Sequence, residues 1–297
     1  MENKMNEIKR ATGLLVIEVV NSNPNGDPDR DSDPRQRPND IGEISPVSFK
    51  RKLRDLLEDA DTPFFQSLPG QYANNPEQFR ILEARGRDRG TITKEMSGEG
   101  KKFVEADFLS SPFVKKYWDA RLFGNTFLES GGDKGFIKTG VVQFGVGTSI
   151  SPIRIVRHTN TNKSGVQEGK NAGMAPLGYR IVEHGVYCMP FFVNPNYARK
   201  SGCTLEDIEL MKMLIPNAYD LNRSAIRPDV RIRHAWYVEH KNALGSCPDY
   251  MLLEALTPKR KGDTAVASNA WEDYEDVTAL PQTLMDRVSS AIDLMGL

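Results

Sequence analysis

The chain is poor in cysteine, in net charge and in long apolar runs, and each shortage excludes something. Three cysteines, Cys188, Cys203 and Cys247, are spread over 297 residues. An odd, scattered set does not make a disulfide framework; it fits a reducing compartment, with the thiols acting as small buried apolar groups. Lys and Arg number 39 against 40 Asp and Glu, for a formal charge of -1. Any contact with nucleic acid must therefore come from locally sorted charge, because there is no global positive field. The longest purely aliphatic run, Leu14 to Ile17, is far short of a bilayer span, and the charged N-terminus lacks a signal-peptide apolar region. A cytoplasmic location with no membrane partner is expected.

Motifs for common chemistries are missing as well. His184 and Cys188 stand four apart, but no second ligand pair lies near them, so neither zinc nor any other cofactor is expected. No nucleophile elbow is present. Gly140 to Gly147 has the four-residue gap of a phosphate loop without the lysine and hydroxyl that should follow. Its glycines let another backbone or a phosphate approach closely, or relax a bulged strand.

What the chain does contain, at 39% hydrophobic residues, is enough apolar material for one large domain or two ordinary ones. Gly13 to Val20 reads as a buried strand. A polar loop follows, in which Pro24, Pro28, Pro34 and Pro38 remove backbone donors and disfavour helix and sheet. Ser45 and Pro46 open a helix whose Phe49, Leu53, Leu56 and Leu57 share one face, with Lys50, Arg51 and Arg54 pointing elsewhere. A mostly helical insertion is expected from Pro63 to Gly135. Strands are expected from Phe136 to Ile155 and from Arg180 to Val193, with the polar span between them projecting as a hairpin. Thr204 and Asp207 start another helix. Val230 to Val238 should then be a strand with Val230, Ile232, Trp236 and Val238 on one face and Arg231, Arg233 and Tyr237 on the other. A final amphipathic helix is expected through Leu280, Leu284, Val288 and Ile292. Without its insertions the order is β-α-β-β-α-β, an α+β split ferredoxin-like arrangement shared with RNA-recognition modules.

Two clusters bear charge. Asp27, Asp29, Asp31 and Asp33 alternate like a calcium loop, yet Ser32 stands where that loop needs glycine and Pro38 where it needs glutamate. A solvated acidic turn is the simpler expectation, and the enzymatic alternative is a loop aspartate that assists metal-dependent cleavage of RNA. Lys50, Arg51, Lys52 and Arg54, with Arg30, Arg35, Arg37, Ser45 and Ser48, can neutralise phosphates along one helix and its preceding loop. Equally, Arg51 can pair with Asp55 and Arg54 with Glu58 at i,i+4 spacing on an ordinary surface. The sequence alone leaves both open.

The string Asn-Pro-Asn-Gly-Asp-Pro-Asp at 23–29, the Ser-Pro-Val-Ser-Phe-Lys-Arg-Lys-Leu-Arg-Asp helix at 45–55, Asp-Ala-Arg-Leu-Phe-Gly at 119–124 and Thr-Gly-Val-Val-Gln-Phe-Gly at 139–145, leading to Ser-Ile-Ser-Pro-Ile at 149–153, occur in this order. Together they resemble the Cas7-family backbone subunit of a type I-C CRISPR (Cascade) surveillance complex. The resemblance implies a modified ferredoxin-like, RNA-recognition palm over about 10–62, 136–157 and 181–257. It also implies a helical finger insertion over about 63–135, a thumb hairpin over about 158–180 and a C-terminal segment over about 258–297. It further implies a non-catalytic subunit that stacks head to tail as a helical filament along CRISPR RNA. Its partners would be that RNA, target DNA, copies of itself, a large subunit and a repeat-processing subunit. Arg35, Arg37, Ser45, Ser48, Lys50, Arg51, Arg54 and Gln143 become expected guide contacts, and Met174 an intercalating wedge near the thumb tip.

Overall fold

The structure is a computed structural model, and it describes residues 8–88, 90, 112–127, 136–162 and 175–296. Strand β1 (Ala11–Ser22) is the aliphatic stretch read from sequence, buried on both faces from Ala11 through Val19. Such two-sided burial requires cover above and below, and the rest of the fold supplies it. After the polar loop come β2 (Ile41–Ile44) and α1 (Pro46–Asp55). Further on lie α2 (Trp118–Phe123) and the hairpin of β3 (Gly124–Phe127) and β4 (Phe136–Thr139). Then follow β5 (Val142–Phe144), β6 (Gly147–Pro152), β7 (Ile155–Asn162) and the long β8 (Ala175–Val193). The chain continues through α3 (Leu205–Leu214), β9 (Val230–His240), α4 (Asp249–Leu256) and β10 (Val288–Asp293).

Among the described residues, eight strands form one sheet in the order β10-β9-β1-β8-β6-β2, with β5 and β7 also paired to β8. Every pairing in it is antiparallel. On one face Phe49 and Leu53 of α1 and Ile208, Met211 and Leu214 of α3 pack with Leu15, Ile17, Tyr187 and Phe191. On the other, Leu252 and Leu256 of α4 join Leu14, Val16, Val186 and Trp236, closed by Tyr274, Leu280 and Leu284 from the C-terminal segment. No helix of the described residues is long and apolar enough to cross a membrane.

Two expectations need correction. The C-terminal apolar residues do not form one helix: a single turn, Gln282–Met285, gives way to β10, which pairs with β9 from His240↔Val288 to Trp236↔Asp293. The open edge of β9 satisfies this backbone, and Leu284 and Val288 still reach the second core. The simple alternation read for β9 also fails. Val16 pairs with His234 and Ile17 with Ile232, so Arg233 is the extra residue of a β-bulge. Beyond it the faces exchange: Ala235 and Tyr237 join Val230 and Ile232 in the first core, and Trp236 and Val238 turn to the second.

In the span expected to project, β7 pairs with β8 in register from Ile155↔Val182 to Asn162↔Ala175. Its expected tip, Met174 included, lies outside the described residues. Gly140 meets the close-approach expectation. A Cβ there would sit 2.1–2.4 Å from the backbone of Leu122, Phe123 and Gly124, so only glycine lets the two segments touch.

Candidate nucleic-acid interface

Helix α1 begins as the sequence dictates. The Ser45 hydroxyl accepts the Ser48 amide at 3.2 Å, Pro46 occupies the first turn, and the Ser45 amide donates to Asn25 Oδ1 at 2.7 Å. That last bond fastens the 23–29 loop to the helix start. The loop is itself ordered by Asn23 Nδ2, which donates to the Ser32 carbonyl at 2.9 Å, and by Asp27, which caps the short helical turn Pro28–Arg30.

The arginines expected to face a guide are mostly engaged within the chain. Arg54 is 5% exposed; its Nε donates to Asp119 Oδ2 at 2.9 Å and its Nη2 meets Glu83 at 2.8 Å. Asp119, buried in α2, also accepts the Leu82 and Glu83 amides at 2.7 and 3.2 Å, so this pair ties α1 to α2 and to the backbone at 82–83. Arg54 is thus a core ion pair, not the surface group read from sequence, and its acid is not Glu58. Arg51 does find Asp55, at 3.1 Å, and donates from Nη1 to the Glu83 carbonyl at 2.7 Å. Arg37 donates to Glu43 at 2.5 Å, and Arg35 lies 3.9 Å from Asp27. Gln143 donates to the Gly140 carbonyl at 3.1 Å.

The lysines stand differently. Lys50 is half-buried, with its ammonium 5.3 Å from the centre of the Phe123 ring; burial, then the nearby Arg54 charge, pushes its pKa down. Lys52 is buried on the far flank of α1, where Asn222 Nδ2 donates to its carbonyl at 3.1 Å. Burial and Arg227 lower its ammonium to about 8. Among the described residues no carboxylate lies within ion-pair distance of either lysine. Composition argued for a basic helix; which cations are spent on internal acids depends on Glu83, Asp119 and Arg227, far away in sequence.

The acidic turn is less solvated than expected. Asp33 is buried and held by Arg157 and by Arg180, the latter at 3.4 Å, and Arg180 also reaches Asp31. These arginines sit on β7 and β8, so the turn braces that strand pair. Asp29 is exposed.

Sequence reasoning missed a polar chain inside the sheet. Ser268 Oγ lies 2.8 Å from His184 Nδ1, and His184 Nε2 lies 3.3 Å from Glu18, which also takes Arg233 at 2.7 Å. Burial opposes the Glu18 charge, but His184 and Arg233 overcome it and its pKa falls below the ordinary carboxylate value. Ser268, His184 and Glu18 are each under 5% exposed, so no substrate reaches the hydroxyl. The chain instead pins the C-terminal segment to the sheet, helped by the 2.8 Å contact of Tyr274 and Ser151 hydroxyls.

A family model for CRISPR-associated protein Cas7 matches residues 9–279, and the chain belongs to that family. A CRISPR-associated protein Cas7 from Haloferax volcanii is 24% identical over 318 residues, spanning 98% of this chain and 87% of that protein. Among solved structures, a chain of a CRISPR RNA-guided surveillance complex in a pre-nicking state shares 13% identity with a TM-score of 0.46, covering 77% of this chain and 78% of that one. A chain of a second CRISPR RNA-guided surveillance complex shares 12% identity with a TM-score of 0.38, covering 87% and 77% respectively.

Proposed function

We propose that this chain is a non-catalytic, guide-binding backbone subunit of a type I-C surveillance complex. It oligomerises head to tail along CRISPR RNA in the cytoplasm and supports recognition of target DNA beside a large subunit and a repeat-processing subunit. The palm is read as a modified ferredoxin-like, RNA-recognition fold. Supporting this is the antiparallel order β9-β1-β8-β6, crossed by α1 and α3 on one face. The hairpin of β7 and β8 is the thumb, and the region from Pro63 to Gly135 the finger.

The observation that carries the reading is the state of α1 in a Cas7-family chain. Its arginines are consumed by Asp55, Glu83 and Asp119, whereas Lys50 makes no ion pair among the described residues, its ammonium lying over the Phe123 ring with Glu83 acting on it only from a distance. A cation left without a carboxylate is available to a phosphate. Guide contact is therefore assigned to Lys50, Ser48 and Ser45, with Arg35, Arg37 and Gln143 at the margin and Met174 as the wedge; Arg51 and Arg54 act by holding the helix in place. Base pairing reads the target, while the protein supplies charge and shape, as in single-protein effectors.

Binding of single-stranded RNA followed across a salt series tests this. Lys50→Ala should weaken binding and reduce the log-log salt slope by roughly 0.7 for each phosphate that is no longer neutralised. An unchanged slope would place Lys50 away from the strand.

A further inference from the structure

Two arginines face each other where β7 meets β8. The register sets Arg157 directly opposite Arg180, and like charges at opposed positions of neighbouring antiparallel strands repel. Side chains two residues apart on a strand share a face, so both arginines lie on the face of Ile155 and Val182, which pack into the core that α1 covers. The next pair outward on that face, Thr159 and Gly178, is exposed, and among the described residues the space over Gly178 is open. A concentrated positive charge therefore lies on the same face of the sheet as α1.

The chain answers this charge with two carboxylates that are not equivalent. Asp33 is buried and bridges the pair, accepting from Arg157 Nη2 and lying 3.4 Å from Arg180 Nε. Asp31 takes only the outer edge of Arg180, its carbonyl accepting from Nη1 and its carboxylate from Nη2. The Asp31 side chain is 85% exposed. It is presented by a turn in which Asp31 and Ser32 both have left-handed backbone, φ 54° and 66°, a conformation that costs energy in residues other than glycine. An exposed carboxylate on an arginine contributes little in water. A phosphodiester offers the same guanidinium fork two oxygens and a full charge, and it can engage Arg157 as well, whose side chain is 69% exposed.

We propose that Arg157 and Arg180 form a seat for one phosphodiester of single-stranded RNA, and that Asp31 is its built-in competitor, holding the outer edge of Arg180 until the strand displaces it. Asp33 stays in place as the brace. The seat rests on the guide-binding reading above and adds to it an acid that restrains binding.

Binding of a short single-stranded RNA to the full chain, with thermal unfolding to verify that each variant is folded, tests the seat. Asp31→Asn should tighten binding by roughly two- to five-fold, the contribution of an exposed ion pair. Asp29→Asn makes the same charge change two residues away, on an exposed side chain without an ion pair among the described residues, and should leave affinity unchanged. In an Arg180→Gln background the gain from Asp31→Asn should vanish, because a double-mutant cycle isolates the effect carried by that contact. Arg157→Gln should weaken binding by the wild type and by Asp31→Asn alike. Binding that depends on Lys50 but does not respond to Asp31→Asn, an equal gain in Asp29→Asn, or a gain that survives Arg180→Gln overturns the seat and leaves guide binding standing. RNA bound by neither the wild type nor Asp31→Asn overturns both.

Discussion

Arg54 shows how a residue's chemistry is set by distant partners. Read from α1 alone it is a surface cation; in the fold it neutralises the buried Asp119. Removing one member of such a pair strands the other, at about 3–5 kcal/mol. Arg54→Met should therefore lower stability by that order in denaturant unfolding, whereas RNA affinity per folded molecule should fall far less than for Lys50→Ala. The converse ranking would make Arg54 a ligand contact. Lys52 gives a second residue-scale expectation, with its sign set by a folded pKa of about 8 against an ordinary 10.5. Below about 8 the ammonium is charged in both states and its burial penalty is fully present. Between the two values the unfolded chain binds the extra proton, so stability rises with pH. The rise is on the order of 3 kcal/mol and should be missing from Lys52→Met when unfolding free energies are compared across that window.

At the scale of elements, the sequence revealed β1, α1 and α3 because their signals are local. These are a continuous aliphatic run, a Ser-Pro start with apolar spacing, and Thr204 capping reciprocally with Asp207. The Arg51–Asp55 pair was legible for the same reason, being one helical turn long. What was not legible depends on a partner strand. Nothing in Arg231 to Val238 announces the bulge at Arg233, and the four-residue spacing of Leu280, Leu284 and Val288 suits a helix until the free edge of β9 is known. That edge is fastened by His234, whose Nδ1 and Nε2 lie 2.7 and 2.8 Å from Asp293 and Asp276 while the ring stacks on Trp236. Both nitrogens donate only in the imidazolium. The bond to Asp293, above all, raises the His234 pKa beyond 6.5, so this contribution is complete below that value and is lost as pH rises through the folded pKa. Amide exchange in β10 should quicken as pH crosses it, after correction for intrinsic rates, and His234→Gln should abolish the step. Exchange without such a step would leave β10 held by its backbone ladder alone.

For the whole molecule, near-zero net charge and RNA binding are compatible because the charges are sorted. Arg51 and Arg54 are paired with internal acids, the acidic turn grips β7 and β8 through Arg157 and Arg180, and Lys50, half-buried on α1, makes no ion pair among the described residues. A head-to-tail contact that does not close into a ring would extend this surface along a guide of any length. Asp29 is exposed, and on the proposed head-to-tail reading it is the acid expected to meet a neighbouring copy. Asp29→Lys should raise the protein concentration needed for RNA-dependent assembly without changing monomer stability, as sedimentation and thermal unfolding would report. Assembly indifferent to that reversal would put the contact elsewhere. The most direct test of guide binding is co-expression with a repeat-spacer transcript, followed by sizing of the RNA that purifies with the protein. RNA of one defined length, retained by wild type and by Arg37→Ala but absent from Lys50→Glu, is the expected result. Protein free of RNA, or RNA of random length held equally by Lys50→Glu, would contradict it.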